Sequence, residues 1–277
     1  MTQETTPPFV LSETKGKVVL LTLNHAKKSN SLHPELVQAL NRHLQEIESN
    51  PEINVVVLTG AGRNFCAGLD LSLLLTWTAE EKLQYLETVS SLFQRIWMLP
   101  QPVIAAVRGA ALAGGFDLSA FCDIRLAAEN SIFGQAEINI GLTQIIHPLY
   151  KSIGLARAKE LALTGAPIPA AEAWRIGLVN HVFPEDQVLA KAMAMAEGMA
   201  AKSRFALFET KRLTRELIDL DTKQALAEIN RTFLTCLDSE EHRIHLERVY
   251  RQISSKGCKK PLCKHVYKGV NLLIRLG

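Results

Sequence analysis

Two segments of the chain have the residue types and spacing to bind an anionic centre. Asn64 to Leu71 (NFCAGLDL) and Gly109 to Leu118 (GAALAGGFDL) each follow an apolar β-rich run and lead into a helical pattern. Glycine lets the backbone approach closely and turn sharply, which leaves N–H groups free to point outward. Such donors at a helix start suit an oxygen on which negative charge develops. Taken singly, either glycine turn reads more readily as packing or an ordinary turn. Two carboxylates lie close by in sequence. Asp117 falls in the first turn of the second helix, where it either complements the helix dipole or serves as an acid or base. Glu137 follows Phe133-Gly-Gln-Ala in a loop, as a solvated carboxylate or as the partner of Asp117. Two carboxyls at one site can divide acid and base work when their environments separate their pKa values.

The elements that must position these groups read as α/β. Strands are predicted over Lys17 to Leu23, Asn54 to Thr59, Val103 to Val107 and Leu178 to Phe183. Pro34 to Ile47 places Leu36, Leu40, Leu44 and Ile47 on one helical face. Thr78 with Glu81 forms a capping-box start, after which Leu83, Leu86, Val89, Phe93 and Ile96 continue an apolar stripe toward Pro100. A helix begins near Gly114. Ala156 to Thr164 and Ala170 to Ile176 are helical and end at Gly165 and Gly177. Long amphipathic patterns fill residues 186–217 and 222–254. The composition changes near residue 185. This divides the chain into an α/β core (1–185), a helical region (186–254) and a basic tail (255–277) of unassigned fold.

Composition narrows the function. A chain of 277 residues that is 47% hydrophobic and 21% charged can bury a full core. The net charge is +3, and the segment after Ser255 holds six basic and no acidic residues, leaving the remainder at three less six, −3. A mildly acidic body gives no support to nucleic-acid binding. No apolar run reaches the ~20 residues of a membrane span. The opening MTQETTPPFV lacks a basic segment followed by an apolar one, so the expected compartment is the cytoplasm. Of five cysteines, Cys66 and Cys122 read as small core residues. Cys258, Cys263 and His265 have irregular spacing and no fourth ligand nearby, so no metal site is expected.

With their flanks, these segments resemble the crotonase (enoyl-CoA hydratase/isomerase) family. The resemblance rests on NHAKKSNSL (24–32), FCAGLDL (65–71) and GAALAGGFDLSAFCDIRLAAENSIFGQAEINIG (109–141). It continues through IGLARAKELALTG (153–165) and AAEAWRIGLVNHVFP (170–184), and runs in order from residue 15 to about residue 250. No dinucleotide-binding glycine fingerprint competes with it. The resemblance implies a superhelix of β-β-α turns with a helical C-terminal region that packs trimers or dimers of trimers. It implies an acyl-CoA thioester as substrate and no cofactor beyond the coenzyme A that the substrate carries. The family's oxyanion hole maps to the amides of Leu69 and Gly114, where the Leu69 side chain narrows the pocket. The acid/base carboxylates map to Asp117 and Glu137. Ala67, Gly68, Leu69, Asp70 and Gly114 fall on the substrate-binding turns. Lys27 and Lys28 fall on the loop that lies along coenzyme A in relatives, where they either meet its phosphates or stay solvated.

Three departures qualify the resemblance. Asp117 stands where hydratases carry Glu, one methylene longer. The segment after Gly141, LTQIIHPLYKSIG, is about three residues shorter than in typical hydratases, which have a P-G-A-G-G-type loop there. Dienoyl-CoA isomerases carry a further Asp eight residues beyond the Glu, and Ile145 occupies that position. His147, in the altered loop, reads as a surface residue. The expected activity is hydration of a 2-enoyl-CoA; the alternatives are a double-bond isomerase and a non-catalytic acyl-CoA-binding scaffold.

Overall fold

Runs such as VVVLT and VIAAV have no polar alternation, so their strands must be covered on both faces. In the computed structural model, which describes residues 7–255, they are. The strands are β1 (Val10–Lys15), β2 (Val18–Leu23), β3 (Val55–Gly60), β4 (Val103–Val107), β5 (Ala110–Leu112), β6 (Ile124–Ala128), β7 (Ile132–Gly134), β8 (Ile168–Pro169) and β9 (His181–Phe183). β1 and β2 form an antiparallel pair; from β2 onward the main sheet is parallel, in the order β1-β2-β3-β4-β6-β9. A second small sheet has the order β5-β7-β8.

The helices of the first unit are α1 (Pro34–Ser49), α2 (Leu71–Thr76), α3 (Ala79–Met98), α4 (Gly114–Ala120), α5 (Leu149–Ile153), α6 (Leu155–Thr164), α7 (Ala170–Arg175), α8 (Val188–Ala200) and α9 (Arg204–Glu216). On one sheet face, Leu21, Leu23, Val56 and Leu58 pack with Leu36, Leu40 and Leu44 of α1 and Val89, Phe93 and Ile96 of α3. On the other face, the alternate residues Val18, Leu20, Val55 and Val57 meet Val188, Ala192, Met193 and Ala196 of α8. Small residues along α8 allow it to lie close to the strands, and Asn54 Nδ2 reaches the Ala200 carbonyl at 3.0 Å. α8 thus belongs to the first compact unit, which extends to Leu220. Without α8, half of the sheet would face water.

The second unit begins at Asp221. It contains α10 (Thr222–Leu237), opened by an Asp221–Gln224 capping box, and α11 (Glu240–Ser255). The two long helical patterns are each divided by a serine that caps the following helix. Ser203 Oγ accepts from Ala206 N at 3.2 Å, and Ser239 Oγ accepts from His242 N at 3.1 Å. The basic tail, with Cys258, Cys263 and His265, lies outside the described residues.

The capping box at Thr78 and Glu81 forms as expected. The apolar stripe of α3 differs at its start. Leu83 and Leu86 are exposed, and Tyr85 is buried in their place. Its hydroxyl donates to the Leu32 carbonyl, and its ring meets Trp77 edge-on at 5.0 Å. A partner for its polar end lets Tyr85 turn inward where leucine was expected.

Candidate active site

The two glycine turns lie side by side. Phe65 N and Cys66 N both donate to the Ala110 carbonyl at 3.1 Å, and Leu112 N returns to Cys66 O at 3.0 Å. At Gly68 the backbone has φ +90, and a Cβ there would lie 2.7 Å from Ala113 Cβ and 2.9 Å from Gly114 N. Only glycine permits this approach. Ala113 takes a positive φ of 51° before α4 begins, held by its amide on Gly134 O at 2.8 Å. Strain of this kind persists only where the surroundings over-determine it. The turns leave the amides of Leu69 and Gly114 without an acceptor among the described residues. Leu69 Cδ2 lies 3.6 Å from the position of a Cβ on Gly114, so its side chain packs close to that residue.

Behind α4 sits Arg125, buried and, among the described residues, without a carboxylate hydrogen-bonded to it. Its guanidinium donates to the carbonyls of Leu178, Ser119, Ala120 and Cys122. A cation on the last carbonyls of a helix offsets the negative dipole end, and here it secures the element that carries Gly114 and Asp117.

Both candidate carboxylates are out of solvent: Asp117 is 2% and Glu137 7% exposed. Burial, and then the charge of Glu137, push the Asp117 carboxyl well above the usual carboxylate range, only partly opposed by a hydrogen bond from Gln135. Burial also raises Glu137, against the pull of its own amide. Glu137 Oε2 is buried without a hydrogen-bond partner among the described residues. Glu137 opens a 3-10 turn, Glu137–Ile140, that ends at Gly141 in the left-handed region. Glu137 is therefore not the solvated surface carboxylate its local sequence allowed.

The basic pair is peripheral. Lys27 and Lys28 lie in a short 3-10 turn (Ala26–Lys28) and are exposed. Asn30, buried with φ 53°, ties this loop to the first glycine turn. Its Oδ1 accepts from His25 N at 2.9 Å, and its Nδ2 donates to Ala61 O and Asn64 O at 2.9 and 2.8 Å. Asp70 does not offer a free carboxylate: it caps α2, accepting from the amide and hydroxyl of Ser72 at 3.1 and 2.5 Å. Burial pushes Asp70 up, but the Ser72 hydroxyl and amide, and then Lys28, outweigh it and hold the carboxyl below its ordinary value. Ala67, half-buried, sends its amide to Ser29 O at 3.0 Å. His147 is exposed, edge-on to Trp97 at 6.0 Å and Tyr150 at 5.9 Å.

Sequence reasoning missed Gln135 and Gln144. Gln135 Nε2 lies 3.1 Å from Asp117 Oδ1 and 2.7 Å from Ile145 O, and Gln144 Nε2 lies 3.0 Å from Gln135 O. The one available signal was position: Gln135 stands two residues before Glu137, just past a buried strand end where an amide needs partners.

Two parallel turns thus leave two amides without an acceptor among the described residues, and the helix that starts at one of them carries a buried carboxyl, Asp117. Comparison with known proteins assigns the family. The model of the enoyl-CoA hydratase/isomerase family matches residues 13–250, and the chain belongs to that family. It is 34% identical to the short-chain-enoyl-CoA hydratase of Clostridium acetobutylicum over 84% of this chain and 91% of that protein. It is 38% identical to a putative enoyl-CoA hydratase of Thermus thermophilus over 74% of this chain and 81% of that protein. The crystal structure of enoyl-CoA hydratase from Bacillus anthracis superposes with a TM-score of 0.86 at 31% identity, covering 88% of this chain and 96% of the other. Among the described residues no helix is long and apolar enough to cross a membrane.

Proposed function

We propose that this chain is an enoyl-CoA hydratase that adds water across the double bond of a 2-enoyl-CoA thioester. The observation that carries the reading is the pair of buried carboxyls, Asp117 and Glu137, set so that the charge of one raises the pKa of the other. Two carboxyls that cannot both ionise hold one proton between them. Asp117 is the more deeply buried of the two, and burial favours the neutral acid, so this reading gives Asp117 the proton and Glu137 the charge. The Leu69 and Gly114 amides receive the thioester oxygen and take up its growing negative charge. Glu137 removes a proton from water as the oxygen bonds to the β-carbon. Asp117 delivers its proton to the α-carbon, and the electron pair on the oxyanion returns to the carbonyl. A proton passing from Glu137 to Asp117 restores the pair.

The enzyme needs no cofactor beyond the coenzyme A of its substrate, and it acts in the cytoplasm. Lys27 and Lys28 sit where loose contact with the phosphates of coenzyme A fits their exposure. The second unit supports assembly into a homo-oligomer, a trimer or a dimer of trimers. Its helices leave Leu226, Phe233, Leu234 and Ile244 exposed, more apolar surface than a free helical pair keeps in water.

Turnover of a panel of 2-enoyl-, 3-enoyl- and dienoyl-CoA thioesters, with products identified by mass, tests the reading. The expected product is heavier by one water, from the 2-enoyl substrates alone. A product of unchanged mass with a shifted double bond makes the chain an isomerase, and no product from any of them makes it a scaffold.

A further inference from the structure

Gln135 is fully buried immediately after β7. Its NH2 end meets both the Ile145 carbonyl, at 2.7 Å, and Asp117 Oδ1, at 3.1 Å. A peptide carbonyl can only accept, so Ile145 dictates which end of the amide faces it. Turning the amide over would set two oxygens against each other. With the NH2 end held there, Asp117 Oδ1 must accept as well, whether the carboxyl is charged or neutral. A neutral Asp117 therefore carries its proton on Oδ2, which has no hydrogen-bond partner among the described residues.

We infer that Gln135 is a positioning residue for the acid–base step, holding Asp117 in one rotamer with its proton on Oδ2, in an orientation set by the carbonyl of Ile145. The catalytic consequence rests on the hydratase reading; the placement of the proton does not. The same short segment organises the loop that follows Gly141. Leu142 N donates to Glu137 O at 3.1 Å and Gln144 Nε2 to Gln135 O at 3.0 Å. Residues 142–146 have no regular structure, and three ties bind them to residues 135–137. The tie at Ile145 is the one that reaches Asp117. In this chain the shortened loop thus sets the orientation of an acid that it does not itself carry. Among the described residues, the one charged group bearing on Asp117 is Glu137.

The test uses Gln135→Met, which keeps length and removes the donor, and Gln135→Glu, which keeps shape. With 2-butenoyl-CoA, kcat of Gln135→Met should fall about 10- to 100-fold while KM stays within about threefold, the signature of an interaction that matters in the transition state. A second readout needs no substrate. The infrared carboxyl band of Asp117, identified by its loss in Asp117→Asn, should titrate about one pH unit higher in Gln135→Met, because the anion has lost a donor. Gln135→Glu should recover part of kcat at acid pH, where its neutral carboxyl can donate, and lose it as that group ionises. If Gln135→Met melts like the parent and leaves both kcat and the infrared midpoint unchanged, the inference is overturned. Should that variant not fold, Gln135→Glu decides: no acid recovery and no displaced midpoint overturn it equally. If the parent hydrates no 2-enoyl-CoA, the hydratase reading fails, and the infrared midpoint still judges the hold of Gln135 on Asp117.

Discussion

Asp117, in the first turn of α4, and Glu137, just beyond β7, come from separate elements, yet the charge of Glu137 raises the pKa of Asp117. Nineteen residues of chain, including the whole of β6, lie between them, and the fold closes that distance by pairing β5 with β7.

Glu137→Gln keeps size and removes basicity. Turnover of a 2-enoyl-CoA should fall by about two to four powers of ten, with affinity for the thioester nearly unchanged. Asp117→Asn should be comparably severe, since each carboxyl handles a different proton. Steady-state kinetics beside binding of a saturated acyl-CoA checks both. One severe and one mild effect would point to a single-base isomerase instead.

The same pair should weaken the fold at neutral pH. A carboxyl whose pKa is higher in the folded chain holds its proton more tightly there than in the unfolded one. Above the unfolded carboxylate range, near pH ~4, the folded chain binds more protons, so stability declines as pH rises through the window up to the raised pKa. Asp117→Asn should therefore be more stable than the parent at pH 7 by about 1–2 kcal/mol. The gap should close toward pH 4. Chemical denaturation across that range measures it, and a gap independent of pH would contradict the assignment.

Gly68→Ala places a methyl 2.7 Å from Ala113 Cβ at φ +90. The backbone must give way, and it carries the Leu69 amide. A loss of about 1–3 kcal/mol of stability is expected, with a larger proportional loss of kcat, because the misplaced donor faces the reacting oxygen. An alanine variant with the parent's kcat would show that the two turns need not touch.

Light scattering tests the assembly. The parent should be oligomeric at micromolar concentration, and charged replacements at Phe233 and Leu234 should shift it toward smaller species. A stable monomeric parent would remove the role proposed for the second unit.

The sequence by itself determined the main strands and the longer helices, and where most of these stop. β-branched runs made the strands, a capping box started α3, and Gly165 and Gly177 follow the ends of α6 and α7 because each adopts a positive φ. Family motifs pointed to both turns and both carboxyls. What only the tertiary structure decided depends on neighbours distant in the chain. Tyr85 turned inward because the Leu32 carbonyl was there to accept its hydrogen bond, something no helical period encodes. The first unit extended to Leu220 because a sheet needs cover on its second face, and local composition does not say which helix supplies it. The pKa of Asp117 follows from its burial and from Glu137, and the orientation of its partner Gln135 follows from the carbonyl of Ile145. Hydrogen bonding and burial are properties of assembled space, so a residue that matters through them carries no mark in its own stretch of sequence.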